Sequence, residues 1–124
     1  MFVAMRGANH DSHDFIAGMQ SRGVRAFLVE RGVEASSCTG ECGFVQVDNA
    51  IEALQRLAAY HRAQFRGTVV GITGSNGKTV IKEWIAEELP EGMKYYRSPK
   101  SYNSQLGVPL SVLMLEGDEE LAIF

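Results

Sequence analysis

TVVGITGSNGKTVIKEW, residues 68–84, carries the most informative pattern in this sequence. Its first six residues are rich in β-branched and apolar side chains, as in a buried strand. A glycine-rich turn follows, and Gly77-Lys78-Thr79 then opens a helix. Ile81, Trp84, Ile85 and Leu89 recur at helical spacing as its expected buried face, and Pro90 closes it. Such a strand–turn–helix leaves several backbone N–H groups pointing at one place, and the helix N-terminus adds partial positive charge there. The turn is therefore built to hold an anion. Gly74 and Gly77 admit an oxygen where a Cβ would stand in the way. Lys78 can reach the β- and γ-phosphates of a nucleotide, and Thr79 can offer its hydroxyl to Mg²⁺. The candidate loop is Thr73, Gly74, Ser75, Asn76, Gly77, Lys78, Thr79 and Val80. The general phosphate-loop pattern asks for Gly where Ile72 stands, and Gly71 and Gly74 flank that place instead. The residues predict a nucleoside triphosphate site.

The rest of the composition limits what such a site can serve. A chain of 124 residues is about one ordinary domain, and 45% hydrophobic with 22% charged residues is the balance of a globular protein. A net charge of -3, with no basic stripe, argues against nucleic acid as a partner. No apolar run approaches the roughly 20 residues needed to cross a bilayer, and the amino terminus turns polar too soon for a secretory signal. No membrane partner is expected, and the cytoplasm is the expected compartment. Cys38 and Cys42 form a lone C-x3-C without a second ligand pair, so two ordinary thiols in a surface loop are expected.

Along the chain, short apolar runs alternate with helical stretches, which predicts an α/β fold with parallel strands. Strands are expected at residues 2–5, 25–30 and 44–47, with a polar loop after the first and a Gly-, Ser- and Thr-rich loop over 31–43. Phe15, Ile16 and Met19 mark a short helix that Gly23 stops. Asp48 or Asn49 can cap a long helix whose Ile51, Leu54, Leu57, Ala58, His61 and Phe65 share one face. Gly67 ends that helix, and a domain boundary is expected near Arg66. Beyond it come the strand at 68–73, a strand at KYYRS, a helix with Pro109 in its first turn, and a last strand begun by LAIF.

Three segments together resemble the Mur ligase family. GITGSNGKT is similar to that family's ATP loop, T-G-[ST]-[NKS]-G-K-[TS], which accommodates Ile72. YNSQLGVPLSVL, residues 102–113, resembles its N-x-x-x-G-x-P segment, with Asn103, Gly107 and Pro109 in register. FVAMRGANHDSHDFI, residues 2–16, resembles an F-x-A-x-x-G-x-x-x-D-G-H-x-F segment of one branch. The wording around residues 97–112 is also similar to a form fused to an alanine racemase. The resemblance implies the end of an amino-terminal domain that binds a UDP-linked precursor over residues 1–66. The start of a central phosphate-loop ATPase domain would follow over 67–124. It implies ATP and Mg²⁺ as cofactors, with UDP-N-acetylmuramoyl-tripeptide and D-alanyl-D-alanine as substrates joined through an acyl phosphate. Lys78 would then be catalytic, Thr79 the Mg²⁺ ligand, and Asn9, Asp11, His13 and Asn103 substrate-binding. Ser12 stands where the branch has Gly, a change that would strain a left-handed backbone.

The same resemblance implies an acidic Mg²⁺ ligand, a catalytic His and a third domain beyond Phe124. A chain ending there is expected to be a fragment unable to complete the ligation, with a sheet cut mid-strand and an open edge. Two other readings compete: a ligase of the folylpolyglutamate synthase branch, and a non-catalytic module that uses ATP as a switch. The N-x-x-x-G-x-P spacing and the RGANHDSHDF segment favour the cell-wall branch over both.

Overall fold

The computed structural model describes residues 1–7, 10–32, 41–99 and 102–124, and contacts within the chain divide it into two compact units, Met1–Leu54 and Gln55–Phe124. Each unit holds a three-stranded, all-parallel sheet. The α/β expectation is met in both.

In the first unit β1 (Phe2–Val3), β2 (Ala26–Glu30) and β3 (Gly43–Val47) lie in the order β1-β2-β3. Phe27 pairs in register with Phe2 on one side and Phe44 on the other. Its ring stacks on Phe44, with centroids 5.1 Å apart. Phe27, Leu28 and Val29 are all buried, as a central parallel strand requires of both its faces. β1 is shorter than the expected strand, although the Ala4 N–H still donates to the Leu28 carbonyl at 2.8 Å. The polar loop contains a 3-10 turn, Ser12–Phe15, before α1 (Ile16–Ser21), whose Ile16 enters the core with Ala4, Phe27 and Val29. Ser12 therefore has right-handed backbone and no strain. Its hydroxyl donates to the Met5 carbonyl and accepts from the Met5 N–H. Cys38 lies outside the described residues. Cys42 is a free thiol in the loop just before β3, half-buried where it packs against this core.

α2 (Ala50–Gln64) begins as the sequence indicates. Asn49 Oδ1 accepts the Glu52 N–H at 3.0 Å, and Glu30 Oε1 accepts the Ala50 N–H at 3.1 Å. The division between the compact units falls inside this helix. Just past its end Phe65 joins a core with Leu115 and Ala122, and from its last turn His61 Nε2 is hydrogen-bonded to the Leu115 carbonyl at 2.9 Å. His61 is a packed residue.

The second unit contains β4 (Thr68–Val70), α3 (Lys78–Glu87), β5 (Tyr95–Arg97), α4 (Gly107–Val112) and β6 (Leu121–Ile123). Its strand order is β4-β6-β5. The LAIF segment thus lies in the middle of the sheet, with Ala122 and Ile123 fully buried, and not at an open edge. Pairing on both sides covers its backbone. β4 is shorter than the expected strand at 68–73, yet the Ile72 N–H still donates to the Phe124 carbonyl at 2.7 Å. On α3 the buried positions are Lys82 and Ala86, while Ile81 and Trp84 are exposed. The apolar face expected from periodicity is rotated, and a lysine occupies the inward position.

Candidate nucleotide site

In an open parallel sheet, backbone groups and helix N-termini converge beyond the carboxyl ends of the strands. The second unit has a cavity of about 350 Å³ at that place. Ile72 and Thr73 reach it from the end of β4, Ser98 and Pro99 from the end of β5, and Phe124 from the end of β6. Gly77 caps α3 with φ 78°, the left-handed backbone that lets the chain turn from loop into helix. That turn sets Lys78 and Thr79 at the cavity, across from Tyr102, Asn103 and Val108. Gly107 is required by close approach: a Cβ there would stand 2.7 Å from Tyr102 Cα. This contact explains the glycine of the N-x-x-x-G-x-P segment, four residues after Asn103.

The cavity is lined by two lysines and no carboxylate. Lys78 Nζ donates to the carbonyl of Gly74 in its own loop. Lys82 is only 6% exposed, and its ammonium donates to the Ser98 carbonyl (2.5 Å), the Ser98 hydroxyl (3.0 Å) and the Pro99 carbonyl (3.5 Å). Burial pulls the Lys82 pKa below the usual lysine value; neighbouring Glu83 opposes that shift and Arg97 adds to it. Among the described residues no cluster of three His, Cys, Asp or Glu could hold a metal ion. The Thr79 hydroxyl, a hard oxygen at the cavity, suits Mg²⁺, which takes few protein ligands and completes its shell with phosphate and water.

Of the residues expected from sequence, Thr73, Gly74, Lys78, Thr79 and Asn103 come together in this lining. Ser75, Asn76 and Gly77 form the exposed turn outside it, and Val80 points outward at 49% exposure. Lys82, Ser98 and Tyr102 line the cavity without having been anticipated. Lys82 had a usable signal, since it follows Lys78 by four residues and shares its helix face.

Asp11 and His13 belong to the first unit, and Asn9 lies outside the described residues. The Glu30 N–H donates to His13 Nε2 at 3.1 Å, so Nδ1 carries the ring proton and donates to Asp11 Oδ1 at 2.5 Å. The same Oδ1 accepts the His13 N–H at 3.0 Å, and Oδ2 pairs with Arg6 Nε at 3.4 Å. The His13 backbone N–H, then its ring, hold the Asp11 carboxyl below the usual aspartate range. Both His13 ring nitrogens are engaged within the protein. No helix among the described residues is long and apolar enough to cross a membrane.

No protein-family model matches the chain. It is 35% identical over 123 residues to the UDP-N-acetylmuramoyl-tripeptide–D-alanyl-D-alanine ligase of Synechocystis, a match covering 99% of this chain and 27% of that one. The ligase of the same name from Escherichia coli is 32% identical, with 99% and 26% covered. Among solved structures, MurF from Acinetobacter baumannii superposes with a TM-score of 0.86 at 30% identity, covering 98% of this chain and 26% of that one. MurF ligase from Thermotoga maritima, in complex with ADP, gives 0.81 at 34% identity, with 98% and 27% covered. The chain thus spans about a quarter of the length of the ligases it matches. In sequence and in fold, it is similar along nearly its whole length to one segment of the Mur ligases that bear the name UDP-N-acetylmuramoyl-tripeptide–D-alanyl-D-alanine ligase.

Proposed function

We propose that this chain is the ATP-binding segment of a cytoplasmic ligase of peptidoglycan precursor synthesis. The complete enzyme would join D-alanyl-D-alanine to UDP-N-acetylmuramoyl-tripeptide through an acyl phosphate. The observation that carries the reading is the cavity at the head of α3, where two lysines and a glycine turn meet with no acidic side chain. An anion of the size of a nucleotide's phosphates fits that charge balance. A carboxylate ligand would meet the same donors, but the left-handed Gly77 cap and the threonine after Lys78 favour phosphate.

Lys78 exchanges its contact with the Gly74 carbonyl for the β- and γ-phosphate oxygens, placing its charge where negative charge accumulates during transfer. Thr79 holds Mg²⁺, which when bound neutralises phosphate charge as a Lewis acid. Asn103, at the opposite wall, orients the nucleotide or the carboxylate brought to it. Asp11 and His13 hold the shape of the loop that, together with Asn9, meets the UDP-linked precursor. The functional boundary falls near Arg66, residues 1–66 serving the precursor and residues 67–124 the nucleotide. Neither nucleic acid nor membrane is a partner of the site.

The direct test is calorimetric titration of Mg·ATP into the chain and into Lys78→Ala. Saturable binding, weakened about 100-fold in the variant, is expected for loss of a hydrogen-bonded charge. Equal binding by both proteins would overturn the assignment of the loop.

A further inference from the structure

Lys82 is the one charged residue buried among the described residues. Burying an ammonium is costly unless its protons find acceptors, and here three oxygens supply them. All three belong to Ser98 and Pro99, the two residues that leave the end of β5. The Ser98 N–H is fixed to the sheet through the Ile123 carbonyl at 2.9 Å, and the Pro99 carbonyl that receives Lys82 also accepts the Tyr102 N–H at 3.3 Å. A continuous path therefore runs from the helix that begins with Lys78, through Lys82 to Ser98 and Pro99, and on to Tyr102 and Asn103. Its beginning and its end both line the phosphate cavity.

A hydrophobic residue would bury more simply at an inward helix position. Placing a second lysine four residues after Lys78 also sets two like charges on one face, an arrangement that disfavours the helix. The α3–β5 contact has another ionic tie that avoids these costs: Glu83 with Arg97, both partly exposed. Packing and a surface ion pair could hold the helix against the strand without Lys82. What Lys82 alone does is reach the carbonyl groups from which the Asn103 segment departs.

We propose that Lys82 is a positioning residue of the nucleotide site: its buried ammonium fixes the Ser98–Pro99 corner to α3 and thereby holds Asn103 across the cavity from Lys78. The proposal rests on the nucleotide reading only for its consequence in binding. The tie itself is testable without ligand.

The experiment compares the full chain with Lys82→Met, Lys82→Arg and Glu83→Gln by two measurements. Amide hydrogen exchange on the ligand-free proteins reads the tie. Calorimetry with Mg·ATP reads its effect on the site. Lys82→Met is expected to accelerate exchange of the Tyr102 N–H and to weaken Mg·ATP about tenfold, the loss of one charge-assisted bond's worth of order. Strand amides such as that of Ala122 keep their protection. Lys82→Arg, which keeps the charge and the donors, recovers part of both effects, and Glu83→Gln changes each by less than about twofold, as for an exposed pair. In the Asn103→Ala background the Lys82→Met loss of affinity shrinks, because the two act through one segment. Unchanged Tyr102 exchange in a folded Lys82→Met overturns the tie, and additive losses with Asn103→Ala overturn its route. If Lys82→Met does not fold, Lys82→Gln, which removes the charge and shortens the side chain, takes its place, and unaltered Tyr102 exchange there overturns the proposal equally. Absence of Mg·ATP binding by the parent chain defeats the nucleotide reading instead, and the exchange data still decide the tie.

Discussion

The loop of Asp11–His13 and the loop of Gly74–Thr79 are both polar, both short and both begin beyond a strand of a parallel sheet, yet they use their polar groups in opposite ways. In the first, donors and acceptors close on each other. Asp11 takes up the His13 backbone, the His13 ring and Arg6, while Ser12 satisfies both main-chain groups of Met5. In the second, Lys78 is tied to the Gly74 carbonyl and Lys82 to Ser98 and Pro99, yet both line a cavity at the head of α3. A polar group whose partners are internal shapes a loop. One left facing a cavity is available to a ligand. By this measure the first loop is the more closed of the two, and the second is the one set at a cavity.

The sharpest way to break the second region without touching its charges is Gly107→Ala. The new Cβ would stand 2.7 Å and 2.9 Å from backbone atoms of Tyr102, which cannot move aside as a side-chain tip can. A cost of about 3 kcal/mol is expected, the upper end for overpacking a closed contact. Chemical denaturation followed by the fluorescence of Trp84, the sole tryptophan, reads this in the second unit. A stability within about 0.5 kcal/mol of the parent, the range of a neutral surface change, would show that the Tyr102 backbone yields freely.

The corresponding break in the first region is His13→Ala. His13 has a side chain only 6% exposed, and its removal leaves the Glu30 N–H without its acceptor. About 2 kcal/mol of the first unit's stability should be lost, the usual penalty for a stranded buried donor. Amide exchange at Glu30 and along β2 measures it, and Mg·ATP affinity in the second unit should not change. A fall in that affinity matching the fall from Lys78→Ala would end the contrast drawn between the two loops.

The strand–turn–helix at residues 68–84 was legible because its requirements are local: a β-branched run, two glycines and a helix start lie within a dozen residues. The same locality made the Asn49 cap and the core position of Phe65 readable. Strand order was not. LAIF was expected to begin a last strand, as it does, but its place between β4 and β5 comes from pairings that join residues far apart in the chain. Nor was the inward face of α3, since periodicity weighs hydrophobicity and cannot anticipate that Ser98 and Pro99 will meet the ammonium of Lys82. The expectation of a boundary near Arg66 rests on the end of a helix, whereas the compact units divide inside that helix, between Leu54 and Gln55. Ser12 looked like a source of strain only because its turn, set by the hydrogen bonds to Met5, could not be read from a neighbouring glycine pattern.

The smallest effect separates the two regions by pH. The His13 backbone N–H, and after it the His13 ring, hold the folded Asp11 carboxyl below its ordinary value of 3.8. At pH near 3.8 the unfolded chain therefore binds more protons at this position than the folded chain. The stabilising contribution is complete above 3.8 and disappears as pH falls through the lower folded value. The acid limb of the first unit should be steeper in the parent than in Asp11→Asn, which cannot titrate. Asp11 is not part of the second unit, so the acid limb of that unit should be the same in both proteins. Exchange at β2 amides and Trp84 fluorescence, followed together from pH 6 down to about pH 3 across the aspartate range, separate the two limbs. Parallel curves for parent and variant in the first unit would mean that Asp11 is solvated and that its hydrogen bonds do not set the loop.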